Sequence, residues 1–149
     1  MVPKMLFSKK DFNSVMHKNQ IKMQKHAIAL AENSGIHLEY ELDSMKQIDE
    51  LLEKIVKEFE AAGLTKSIDI ESNDGAKGIA ESLGCYIAEC AERKQGRGIW
   101  QNTDPRTHDT AYCLVLPSGS SIFPIEWIMK KLVKPGEYSV NEAYVNFVL

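Results

Sequence analysis

The sequence predicts an α+β domain: helices packed on one antiparallel three- to four-stranded sheet, a β-meander, with C-terminal helices. Three observations point there. Apolar residues recur at helical spacing through most of residues 8–94. After Gly96 and Gly98 the pattern changes to short β-type runs joined by turn residues. Helical signals then return at Pro124, without the βαβ alternation of a parallel sheet.

The first helix is expected over Ser8–Asn33. Ser8 and Asp11 form an S-x-x-D start, in which the serine oxygen accepts a free backbone N–H and the acid suits the positive helix end. Phe12, Val15, Met16, Met23, Ala27 and Leu30 supply its apolar face, and Asn33-Ser34-Gly35 ends it. His37–Leu42 alternates polar and apolar residues, as a half-buried strand does. Asp43 or Ser44 is expected to cap the second helix, with Ser44 and Gln47 as a capping box. Met45, Ile48, Leu51, Leu52, Ile55, Val56 and Phe59 form its apolar stripe, and Gly63 stops it.

Ser72 or Asn73 caps a third helix, roughly Asp74 to Lys94. Its row Ala76, Ala80, Gly84 and Ala88 lets a neighbour approach closely. Strands follow at 99–101, 109–116 and 121–123, with Pro117-Ser118-Gly119-Ser120 as a turn. Pro124 opens a helix from Ile125 to Lys134, since its missing N–H costs nothing in a first turn. Pro135-Gly136 breaks that helix, and Ser139 with Glu142 starts a last one over Val140–Leu149.

One domain over residues 1–149 is expected, with residues 1–37 able to serve as an N-terminal helical arm. Hydrophobic residues at 44% and charged residues at 26% fit a globular chain and exclude a mostly disordered one. Three cysteines, none in C-x-x-C spacing, exclude a disulfide scaffold. Cys85 and Cys90 sit about 140° apart around one helix, so they are expected to be buried thiols, in keeping with a reducing cytoplasmic compartment. The start of the chain lacks a secretory apolar region, and no apolar run reaches the length of a membrane helix.

The order Leu83-Gly84-Cys85-Tyr86-Ile87-Ala88-Glu89, Gly98-Ile99-Trp100, Val115-Leu116-Pro117-Ser118-Gly119, Phe123-Pro124 and Trp127–Leu132 resembles an uncharacterised group of small bacterial α+β proteins. The resemblance lies mainly in residues 83–133, and Ala88 stands where the group usually has glycine. Its motifs are glycines, turn residues and core aromatics, so it implies a fold and no established chemistry. Some members resemble genes carried beside toxins or secretion systems, which implies an inhibitor, or immunity, protein.

No catalytic set assembles from the sequence. His17, His26, His37 and His108 lack metal-ligand spacing, and no metal or other cofactor is implied. Gly75-Ala76-Lys77-Gly78 and Gln95-Gly96-Arg97-Gly98 lack the full phosphate-loop and dinucleotide patterns. Nucleic acid is not the expected partner: Lys9, Lys10, Lys18, Lys22 and Lys25 lack interleaved aromatics, and the net charge is −3.

That total conceals a division. Residues 1–37 carry +4, residues 38–92 carry −9, and residues 93–149 carry +2. An acidic middle suits fast, steered association with a basic protein. Glu39, Asp43, Asp49, Glu50 and Glu53 are the expected contacts with such a partner, most concretely a toxin. The alternative is a small-molecule enzyme or ligand sensor, with Trp100, Arg106, His108 and Asp109 around the polar 103–109 loop.

Overall fold

The computed structural model describes residues 8–103 and 110–149. Among them, six helices and three short strands follow in order: α1 (Lys9–Asn33), α2 (Asp43–Ala61), α3 (Ser67–Glu71), α4 (Asp74–Gln95), β1 (Ile99–Thr103), β2 (Thr110–Val115), β3 (Ser121–Ile122), α5 (Pro124–Val133) and α6 (Val140–Phe147). The sheet is antiparallel in the order β1-β2-β3, with Trp100 opposite Leu114 and Leu114 opposite Ile122. The architecture is broadly α+β, and more helical than the expected balance.

Local chemistry sets most boundaries. Ser8 Oγ accepts the Asp11 N–H at 3.1 Å, Asn73 Oδ1 accepts from Ala76 at 3.0 Å, and Ser139 Oγ accepts from Glu142 at 3.1 Å. Each satisfies an amide that its helix leaves without a partner. The 116–120 turn closes with Gly119 at φ 92°, and Pro124 opens α5.

α4 is the central element: α1 lies along one side and α5 along another, while β1 also meets α1. The α4–α5 contact is close because of Gly84. A Cβ there would stand 2.7 Å from the Ile125 Cα and 2.8 Å from its backbone nitrogen. The small-residue row thus has a neighbour at its centre, as expected. α2 packs on α5 and α6 through Met45, Ile48, Leu51, Leu52, Ile55 and Val56, all buried. Each such side chain is worth about 1.5–3 kcal/mol on burial.

Three expectations need correction. No strand forms over His37–Leu42. The alternation is real, with Ile36 and Leu38 buried and His37 and Glu39 exposed. Yet the backbone there bonds to side chains: the N–H groups of Glu39 and Glu41 donate to Ser44 Oγ, and that of Tyr40 to Tyr86 Oη. Tyr40, at φ 60°, then bends the chain. A lone extended segment lying on a core alternates just as a strand does. For the same reason Ser44 makes no capping box: its oxygen serves the 39–41 backbone, and α2 starts without a side-chain cap.

The third correction concerns α1. Met16 and Ala27 are buried and Phe12 and Leu30 pack partly buried on the core, as expected, but Val15 is 48% exposed and the buried face also carries His17, Gln20, Gln24 and Ala31. Smaller differences are at helix ends: α5 begins at Pro124 itself, and α6 ends at Phe147.

Candidate functional site

The sequence-derived acidic residues separate into two groups. Glu39, Asp43 and Glu50 are exposed at the 39–43 connection and on the outer face of α2. Glu41 and Glu58 are exposed nearby, interleaved with Lys46, Lys54 and Lys57. Asp49 points inward. Its carboxylate accepts the backbone N–H groups of Val140 at 2.9 Å and Asn141 at 3.0 Å and the Ser139 hydroxyl at 3.1 Å, so it anchors the start of α6. A carboxylate at that end also meets the positive pole of the helix. Glu53 lies between the groups: it accepts from Lys131 at 3.3 Å while its side chain stays 57% exposed. Lys131 is buried, 3.9 Å from Asp49, and also donates to the Pro135 carbonyl.

Of the alternative set, Trp100 is in the core, 1% exposed. Arg106, His108 and Asp109 lie outside the described residues, as does most of the 103–109 loop. Among the described residues, no group of three or more His, Cys, Asp or Glu side chains could hold a metal ion.

A polar cluster between α1, α4 and β1 was not legible at the level of composition. Glu92 is its hub. Its Oε2 receives the Gly98 N–H at 2.6 Å and lies 2.8 Å from His17 Nε2; its Oε1 receives the Gln20 amide at 2.6 Å. The other atom of that amide, Gln20 Oε1, accepts the Trp100 indole N–H at 2.8 Å. An indole nitrogen is donor-only, which fixes the orientation of Gln20 and aims its NH₂ at Glu92 and Glu89. Burial raises the pKa of Glu92, but the bonds from His17, Gln20 and Gly98 outweigh it and hold the carboxyl below its ordinary 4.5.

The cluster continues outward. Glu89 pairs with Arg93 at 2.9 Å, and the Arg93 guanidinium stacks 3.6 Å over the Tyr40 ring. Tyr40 stacks in turn on Tyr86 and donates its hydroxyl to Gln24. A cleft of about 350 Å³ opens beside Tyr40, Arg93 and Lys94. Clefts of about 380 and 370 Å³ adjoin α5, sharing Glu126 and Met129. The two lysines of the larger are partly neutralised at home, Lys130 by Glu126 at 3.2 Å and Lys134 near Glu137 at 3.9 Å.

Cys85, Cys90 and Cys113 are all buried, as expected. Burial, with the nearby charge of Glu81, pushes the Cys85 thiol up to about 12, and burial does the same to Cys90. Such thiols are poor nucleophiles near neutrality.

No helix among the described residues is long and apolar enough to cross a membrane. The chain matches no family model, no curated protein and no solved structure.

Proposed function

We propose that this chain is a non-enzymatic protein-binding domain, an immunity-type inhibitor that meets a basic toxin surface through the acidic edge formed by the 39–43 connection and the outer face of α2. The observation that carries the reading is the exposure of Glu39, Asp43 and Glu50, with Glu41 and Glu58 beside them, in the segment that holds the −9 charge. The resemblance over residues 83–133 to a group associated with toxins supports it. Glu53 contributes at the margin, since Lys131 already holds it. Asp49 is assigned to the fold and leaves the contact set.

Charge on an exposed edge acts mainly on the rate of encounter, so binding should weaken as salt rises. The test is co-expression with the products of adjacent genes, scored by co-purification and by rescue of growth. The triple variant Glu39→Lys, Asp43→Lys, Glu50→Lys should keep its circular dichroism and unfolding midpoint while losing partner capture and rescue. Neither capture nor rescue by the unaltered protein would sink the reading. Unchanged capture by the triple variant would move the contact away from this edge.

A further inference from the structure

The donor and acceptor pattern around His17 is more restrictive than a buried histidine requires. The side chain is 6% exposed. Its Nδ1 lies 3.1 Å from the backbone carbonyl oxygen of Asn13, a pure acceptor. Its Nε2 lies 2.8 Å from Glu92 Oε2. That oxygen already receives the Gly98 N–H, and its partner oxygen receives the Gln20 amide. Donors on both oxygens favour the ionised carboxylate, which has no proton to offer. Both ring nitrogens therefore face acceptors. A neutral imidazole carries one N–H and would set a lone pair against an oxygen on its other side. The imidazolium donates at both.

Charge leads to the same state. From α4, His17 is faced by Glu92, and Glu89 lies close enough to share the Gln20 amide but is paired with Arg93. From the β1 side come the neutral Gly98 N–H and Trp100 indole. α1 itself supplies Asn13 and Gln20. With His17 protonated, two carboxylates meet two cations. With His17 neutral, a largely buried carboxylate is left without a counter-charge.

We propose that α1 is latched to α4 by a buried histidine cation, and that loss of its proton loosens the helix. Protonation of His17 is then linked to docking of α1: the docked state binds the proton, so docking weakens as pH rises through the titration of His17. The latch spans two elements far apart in sequence, so it acts on the docking of α1, and an undocked α1 loses the packing that protects its amides.

Long-range proton–nitrogen spectra of the imidazole rings test this directly, with His17 assigned by its loss in His17→Gln. At about pH 7.5, where a free imidazole is mostly neutral, both His17 ring nitrogens should report the imidazolium. Amide exchange in residues 9–33, corrected for its intrinsic pH dependence, should quicken as the docked ring loses its proton, by at most about tenfold per pH unit, and level off once that ring is neutral, with α4 still protected. Glu92→Gln should turn His17 neutral at that pH and bring the faster α1 exchange with it. A neutral His17 ring in the folded wild-type protein at that pH overturns the proposal, as does α1 exchange that ignores the state of His17. The wild-type spectrum decides alone if the variant does not fold.

Discussion

α4 is held on two sides by opposite chemistries. Toward α5 it presents small residues, and the helices approach until Gly84 has no room for a Cβ against Ile125. Toward α1 it presents Glu89, Glu92 and Arg93, and contact is made through hydrogen bonds to His17 and Gln20. The first contact is tuned by shape and the second by protonation and charge. Dispersion is short-ranged and tolerates no intrusion. A buried ionic cluster does not tolerate the loss of one member, which leaves a charge uncompensated.

Four experiments break or sharpen this contrast. Glu92→Ala has the largest expected effect, about 3 kcal/mol in urea unfolding, because it strands His17, Gln20 and the Gly98 N–H together. Gly84→Ala should cost about 2 kcal/mol despite the better helix propensity of alanine, since backbone atoms of Ile125 must move. If Gly84→Ala instead raises the midpoint, the two helices are less closely engaged than the geometry indicates.

A third experiment separates the two sides by pH. Glu92 is held below its ordinary value in the folded state, so its contribution is fully present above about 4.5 and is lost as pH falls through the lower folded value. The acid limb of a stability profile should therefore flatten in Glu92→Gln and keep its slope in Gly84→Ala. The smallest effect is on reactivity. Cys85, pushed up to about 12 by burial and by Glu81, should resist iodoacetamide in the folded protein at neutral pH and react on unfolding. Ready labelling of the native thiol would show that the apolar side of α4 opens.

The same contrast explains what could be read from the sequence. The apolar stripe of α2, the small-residue row of α4 and the turn at 117–120 each declare themselves through residue type, and the structure has them where the pattern puts them. The inner face of α1 does not. Asn13, His17, Gln20, Gln24, Ala27 and Ala31 recur at alternating intervals of four and three, the spacing of a packing seam. The apolar Met16 and Ala27 of that face are legible, but its polar members conceal the rest, and Val15 lies off the seam. Spacing carried the signal, but the partner that makes a buried glutamine tolerable is Trp100, eighty positions away. The acidic edge was legible in part. Exposure of Glu39, Asp43 and Glu50 follows from their place on the polar side of the pattern, whereas the inward role of Asp49 depends on where α6 begins.

The bond from the Trp100 backbone N–H to Asn13 Oδ1, at 2.8 Å, has a consequence for solubility. β1 is an outer strand of a three-stranded sheet, and its far side would otherwise offer amides and carbonyls to any extended segment of another chain. Asn13 occupies one of those amides, and α1 lies against the strand that carries it. The helix that packs on the core therefore also covers part of one sheet edge at which a foreign strand could pair.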